Sequence, residues 1–258
     1  MSLLEMMKPA YIAYAQTNTH KKKVQKSEDL IKQVLSKHKR PYVAYSTGKD
    51  STCLLDMVYR INPHVEVMFH DSTVELPESY EQLKKVEENW GLKVHIVKNP
   101  YNVFELYKEY DLYNNDAAER KIQKLTLNNP IKEYVIENGF DLVFLGLRKQ
   151  ESKRRLRMLC KYGNYFYCKS NAIYECMPLS EWKKEDVWAY IFTHWPLENL
   201  IHPAYHKDRL VKDPGDIRVS WWCETNCITT GQLLWLKMYY PDLFHKLARE
   251  FPEVKGYV

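Results

Sequence analysis

No apolar stretch of this chain approaches the roughly 18 consecutive residues needed to cross a bilayer, so a membrane span is not expected. The opening segment, Met1 to Ala10, has neither a long apolar core nor a cleavage site, and a secretory leader is not expected. The cytoplasm is the expected location. The chain also lacks any internal repeat or low-complexity tract. Its 45% hydrophobic and 28% charged residues are ordinary for a globular protein, which argues against disorder. Six cysteines without an export signal do not suggest a disulfide framework, leaving free thiols, metal ligands or redox groups. No Cys-x-x-Cys pair is present, and no cysteine follows Cys227. The Gly-to-Gly-Lys spacing of a Walker A loop is missing as well, so ordinary kinase or ATPase chemistry is not indicated.

What is present is a strand–helix rhythm. Residues 1–40 read as a peripheral helical segment, with Ser27-Glu28-Asp29 capping a helix through Leu30, Ile31, Val34 and Leu35. Short buried strands are expected at 41–45, 65–70, 94–97, 141–146 and 173–177. Helices are expected after the first two, the second opened by Pro77 and stopped near Gly91. A helix-rich stretch covers 101–138 and stops at Asn138-Gly139. Ser180 reads as the cap of a helix through Trp182, Val187, Tyr190 and Ile191. This alternation predicts an α/β fold with a doubly wound, mostly parallel five-stranded sheet. The expected organisation is a helical segment at 1–40, a nucleotide-binding α/β domain at 41–194 and a helical or irregular extension at 195–258. In that extension Pro196, Pro203 and Pro214 interrupt the rhythm, and helix returns from Gln232 to Glu250.

Ligands of such sheets sit beyond the carboxyl ends of the strands, which directs attention to loops 46–52, 70–77 and 146–157. The first, Ser46-Thr47-Gly48-Lys49-Asp50-Ser51-Thr52, joins a strand to a helix. Gly48 is expected to allow a tight turn and close approach of an anion, and the helix start offers free N–H groups and partial positive charge. Hydroxyls of Ser46, Ser51 and Thr52 and the ammonium of Lys49 complete an anion site. The net charge of +5 is gathered in two clusters, His20-Lys21-Lys22-Lys23 and the run from Arg148 to Arg157. The first reads as a solvated face, the second as part of the phosphate site. Twenty Tyr and seven Trp read mainly as packing, with Trp182 and Trp188 in that role.

The loop resembles the pyrophosphate (PP) loop of the adenine nucleotide α-hydrolase superfamily, Ser-x-Gly-x-Asp-Ser. Three further segments resemble one branch of it, the phosphoadenosine phosphosulfate (PAPS) reductase family. They are Phe69-His70-Asp71-Ser72 with Glu75 to Tyr80, Gly146-Leu147-Arg148-Lys149-Gln150-Glu151-Ser152 with Arg155, and Met177 to Trp182 continuing through Asp186 to Ile191. The four matches occur in the family's order over about residues 42–192. The resemblance implies that Lys49, Asp50 and Arg148 are the catalytic groups. It implies that Ser46, Thr47, Gly48, Ser51, Thr52, Asp71, Ser72, Gly146, Glu151, Ser152 and Arg155 bind the nucleotide, ATP or PAPS. A guanidinium fork suits phosphate or sulfate oxygens.

Cys223 and Cys227 would share one face of a helix, and with Cys160 and Cys168 could hold an iron–sulfur cluster or zinc. Inert thiols are the alternative, and Cys53 and Cys176 read as core. The family's reductases use a Glu-Cys-Gly-Leu-His motif near the C-terminus and, in cluster-bearing members, an adjacent Cys-Cys pair, and both are missing. The first expectation is therefore ATP cleavage between the α and β phosphates, with Mg²⁺ bridging phosphates, to activate an acceptor in sulfur metabolism or nucleic-acid thiolation. The alternative is PAPS or adenylyl-sulfate reduction through Cys223 or Cys227. A non-enzymatic nucleotide- or DNA-associated module ranks last, because no basic recognition helix is apparent. Expected partners are an adenine nucleotide, an unidentified acceptor or sulfur donor, and a nucleic acid or protein.

Overall fold

A computed structural model of the chain describes residues 1–113, 115, 117–207, 214–223, 227 and 230–258. Five strands run parallel or nearly so in chain order: β1 (Pro41–Ala44), β2 (Glu66–Asp71), β3 (Val94–Lys98), β4 (Leu142–Phe144) and, after an edge strand β5 (Tyr165–Cys168), β6 (Ile173–Cys176). The sheet order is β3-β2-β1-β4-β6-β5, with only the β5–β6 pair antiparallel. The sheet therefore has six strands, one more than the sequence suggested. The extra strand β5 sits at the rim, where half-exposed Tyr165, Phe166 and Tyr167 give no alternating pattern to read.

Side chains alternate across the sheet as a two-residue period requires. Val43, Tyr45, Val67, Phe69, Leu142 and Phe144 enter the larger core, while Tyr42, Met68, Val97 and Val143 enter a smaller one. The larger core is covered by α3 (Lys49–Ile61), α9 (Lys184–Ile191), α1 (Leu3–Ala15) and α2 (Asn18–Leu35). The smaller is covered by α7 (Asn129–Asn138), through Ile131, Tyr134 and Val135. Between β3 and α7 lie α5 (Val103–Glu109), α6 (Ala118–Gln123) and one π-helical turn, Lys124–Asn128. Pro77 opens α4 (Pro77–Trp90), and Gly91 and Gly139 close α4 and α7 at φ +63° and +68°, where a left-handed residue ends a helix without strain.

Two expected caps are not caps. Helix α2 starts nine residues before Ser27, with Thr17 at its cap, and Ser27 lies inside it. The Ser27 hydroxyl donates to the Pro178 carbonyl and accepts from the Trp182 indole, so burial, not capping, explains it. Ser180 and Trp182 precede α9, whose first turn is closed by Asp186 accepting from the Lys183 N–H at 2.7 Å. Residues 1–40 are helical but not peripheral, since Leu4, Tyr11, Ile31 and Val34 are buried in the larger core. Trp222, Leu233, Trp235, Leu236 and Leu247 of the C-terminal part join the same core. Helix does return there, broken at Tyr240 into Gln232–Tyr239 and Pro241–Glu250.

Asp186 is wholly buried and gathers the N-terminal helices. It accepts from the Tyr14 hydroxyl at 2.8 Å and the Lys23 ammonium at 2.5 Å. Burial opposes its charge, but the neighbouring His20, Lys23, the Lys183 N–H and Tyr14 together outweigh burial and hold the carboxyl well below its ordinary value. Lys23 thus ties the first basic cluster to the core instead of leaving it all to solvent. Among the described residues no helix is long and apolar enough to cross a membrane.

Candidate functional site

From β1 the chain proceeds to β2 and β3 on one side, and from β4 to β6 and β5 on the other, so the crevice between β1 and β4 is the topological switch point. Loop 46–52 emerges from β1 and loop 145–152 from β4, and the two meet. The closest approach is at Gly146: a Cβ built there would lie 3.1 Å from the Asp50 carbonyl carbon and 3.2 Å from Ser51 N. Glycine is what lets the two backbones touch.

The first loop is shaped by its own hydroxyls. Ser51 Oγ donates to the Gly48 carbonyl at 2.9 Å and accepts from the Ser46 N–H at 3.2 Å, while Thr52 Oγ1 donates to the same carbonyl at 3.0 Å. Ser51 and Thr52 therefore hold the turn, and the Ser46 side chain remains exposed beside it. The left-handed residue is Thr47, at φ +59°, not Gly48, which caps α3 at φ −77°. Thr47 tolerates that conformation while buried, with its hydroxyl donating to Ser79 Oγ of α4 at 3.2 Å. Gly48 instead keeps space open: a Cβ there would be 3.5 Å from Tyr205 Oη and 3.6 Å from Val219, ordinary contacts.

Charge at the head of α3 is arranged as a bridge. Asp50 Oδ2 accepts from Lys49 Nζ at 2.8 Å, and Oδ1 accepts from Arg148 Nε. Burial is the largest influence on both Lys49 and Asp50 and opposes their charges. Their mutual attraction, aided by Arg148 on the carboxylate, overrides it, so Lys49 is raised and Asp50 lowered. Two cations against one carboxylate leave a net charge of about +1 where the helix also presents its positive end. Glu151 accepts from the Arg148 N–H at 2.7 Å and pairs with Arg155, fixing the loop. Ser152 caps α8 (Lys153–Tyr162) by accepting from the Arg155 N–H at 3.1 Å.

Asp71 and Ser72 stand at the end of neighbouring β2 but turn into their own loop. Asp71 accepts from Tyr80 Oη and the Thr73 N–H, both at 2.8 Å, and Ser72 Oγ donates to Glu75. They line the second loop, and among the described residues no hydrogen bond joins either side chain to loop 46–52. Sequence reasoning missed Tyr205 and Val219, which cover Gly48. Tyr205 Oη accepts from the Lys49 N–H at 3.1 Å, and burial pushes its phenol up, so it stays protonated near neutrality. Tyr205 lies 156 residues from Lys49 in a proline-punctuated stretch with no periodicity, so no sequence signal links them.

The described residues do not gather the four thiols into one site. Among the described residues no group of three or more His, Cys, Asp or Glu is placed to hold a metal ion. Cys160 is exposed on α8, Cys168 lies on the edge strand, and Cys223 and Cys227 are buried elsewhere, with Cys223 Sγ 3.8 Å from Tyr107 Oη. Residues 224–226, on which the shared helical face of Cys223 and Cys227 depended, lie outside the described residues. Cys53 and Cys176 are core, as expected. The Mg²⁺ expected to bridge phosphates would be held mainly by the nucleotide, since both Asp50 oxygens already serve cations.

Behind Thr47 and Ser79, His202 is buried, with Nδ1 accepting from the Ala204 N–H at 3.2 Å and Nε2 3.3 Å from Ser79 Oγ. Burial depresses it from 6.5 to about 4. The unfolded chain binds a proton below pH 6.5 that the native site refuses, so stability present above that pH is lost as pH falls towards 4. The loss is about 3 kcal/mol. Urea unfolding at stepped pH is expected to show it, and His202→Asn, which keeps the acceptor for Ala204, to flatten the profile. An equally steep profile in the variant would assign the effect elsewhere.

A mostly parallel sheet with a positively charged strand–loop–helix turn at its switch point is the fold of a nucleotide-binding α/β protein of the adenine nucleotide α-hydrolase-like kind. Within that class the chain belongs to the phosphoadenosine phosphosulfate reductase domain family, whose model matches residues 40–207. An uncharacterized protein of Methanocaldococcus jannaschii is 30% identical over 231 residues, 86% of this chain, and the chain spans 44% of that relative's length. Adenosine 5'-phosphosulfate reductase of Bacillus cereus is 29% identical over 199 residues, covering 71% of this chain and 81% of the relative. Among solved structures, phosphoadenylyl-sulfate reductase of Candida auris shares the fold at TM-score 0.51 and 18% identity, covering 77% of this chain and 86% of that one. FMN adenylyltransferase of Candida glabrata does so at TM-score 0.54 and 12% identity, covering 79% and 66%.

Proposed function

We propose that the chain is a sulfonucleotide-transforming enzyme that receives the phosphosulfate of adenylyl sulfate or PAPS at the head of α3. The observation that carries this is the Lys49–Asp50–Arg148 bridge at the switch point. Its net charge of about +1, with helix N–H groups beside it, balances a phosphosulfate, with one charge on phosphate and one on sulfate, more nearly than a triphosphate. The names of the curated relatives favour the same reading over the ATP cleavage expected from the sequence. Arg148 and Lys49 would orient the sulfate and neutralise charge passing to the leaving nucleotide. The thiols nearest in sequence to Val219, which touches the loop, are Cys223 and Cys227. In a reductive step a thiolate would bond to sulfur as the S–O bond to the leaving nucleotide breaks (AMP from adenylyl sulfate, adenosine 3',5'-bisphosphate from PAPS), and a second thiol would then release sulfite as a disulfide forms.

Calorimetric titration with adenylyl sulfate, PAPS and ATP tests the binding. The sulfonucleotides are expected to bind at least tenfold more tightly than ATP, and Lys49→Ala to lose most of that affinity. Sulfite release with a dithiol reductant tests the chemistry, and Cys227→Ser with full activity would remove that thiol from it. ATP binding tightest, with pyrophosphate released and no sulfite, would establish the ATP reaction instead. Lys49 and Asp50, both intact, are the observation that keeps that second reading in view.

A further inference from the structure

We propose that α8 and the tyrosine that ends it form a binding surface for single-stranded nucleic acid, separate from the phosphate loop. The helix reads Lys-Arg-Arg-Leu-Arg-Met-Leu-Cys-Lys-Tyr and holds five cations, at 153, 154, 155, 157 and 161, without one carboxylate. Those five charges equal the formal net charge of the whole chain, +5, so the remainder is balanced and the excess is concentrated here. Only Leu159 of the helix is buried.

An ordinary solvated helix interleaves signs, placing acids near its start and opposite charges four residues apart. Helix α8 does the reverse. Lys153, Arg154 and Arg155 occupy the first turn, against the positive end of the helix dipole. Lys153, Arg157 and Lys161 form two successive like-charged pairs four residues apart, spaced about 6 Å along the axis. Arg155 is paired with Glu151, but no described carboxylate pairs with Lys153, Arg154 or Arg157. Each of these choices disfavours the isolated helix, and an anionic chain lying along the stripe relieves all of them together.

The aromatic neighbour selects the kind of polyanion. Tyr162 is 51% exposed, its ring lies 5.2 Å from that of Phe166 on the edge strand, and Lys161 Nζ lies 4.8 Å from its centroid. Leu156 is also exposed, at 44%. A cationic stripe leading to an open ring with a cation beside it matches phosphates followed by an unstacked base, an arrangement that a duplex does not offer. The recognition helix that seemed missing from the sequence is this one, hidden there because its charges read as part of the phosphate site.

Fluorescence anisotropy with labelled single-stranded DNA, single-stranded RNA and duplex, across a salt series, tests the proposal. The wild-type chain is expected to prefer a single strand to duplex, and the two single-stranded arms decide between DNA and RNA. The triple variant K153Q/R157Q/K161Q is expected to bind about tenfold or more weakly, with a log–log salt slope shallower by about 2. Tyr162→Ala is expected to lose about tenfold for single strands and little for duplex. The triple variant should melt no lower than wild type, since it removes like-charge repulsion, and Tyr162→Ala should keep its nucleotide affinity at the loop. Wild-type binding absent at micromolar protein, equal binding by the triple variant, or equal binding to heparin or anionic vesicles would overturn the proposal. Loss of nucleotide binding with strand binding intact would count against the sulfonucleotide reading alone.

Discussion

Arg148→Ala is expected to lower sulfonucleotide affinity about 100-fold or more, and to cost about 3 kcal/mol of stability. The two losses have different origins. Affinity falls because the guanidinium at the switch point is gone. Stability falls because the Asp50 carboxylate keeps only Lys49 as a partner in a site whose side chains at 50 and 148 are 16% and 6% exposed. Adding Asp50→Asn to Arg148→Ala separates them, since it removes the stranded charge and is expected to restore part of the stability but none of the affinity. Arg148→Lys should recover little binding, because an ammonium on a flexible stem does not reproduce the planar fork. Titration calorimetry with urea unfolding on all three variants checks this. Unchanged affinity in Arg148→Ala would mean that the bridge is only architectural.

Gly146→Ala is expected to be the other severe change, although it adds a single methyl group. The new atom would fall 3.1–3.2 Å from main-chain atoms of Asp50 and Ser51, which cannot rotate away as a side chain would. Forcing the loops apart is expected to cost about 1–3 kcal/mol and to draw Arg148 off Asp50. Gly48→Ala provides the contrast: its φ of −77° suits alanine and its neighbours lie at 3.5–3.6 Å, so the fold should survive. A Gly146→Ala protein with wild-type melting and affinity would show that β4 and α3 have slack the geometry does not suggest.

Local signals made the heart of this molecule legible. The strand at 41, the loop after it, the helix opened by Pro77 and the stops at Gly91 and Gly139 all depend on residues close in sequence, and they stand where spacing put them. The meeting of loop 46–52 with Gly146 and Arg148 was readable because both follow strands of one parallel sheet. What escaped depended on distance or on burial. Tyr205 reaches Lys49 across 156 residues. Ser27 has the sequence surroundings of a cap, but its hydroxyl is bonded to the Pro178 carbonyl. Thr47, rather than the neighbouring glycine, takes the left-handed turn, because tertiary contacts with α4 hold it there. Strand β5 is short and half exposed, so it carries no core-facing stripe.

Asp186 turns the first two helices into structural necessities. Cutting the chain ahead of Ser27 would take away the phenol of Tyr14 and the ammonium of Lys23 while leaving their acceptor in place on α9. Such a shortened protein would not be a trimmed version of the same domain but one whose Asp186 keeps only the Lys183 N–H, with the face of α9 that α1 covers laid bare.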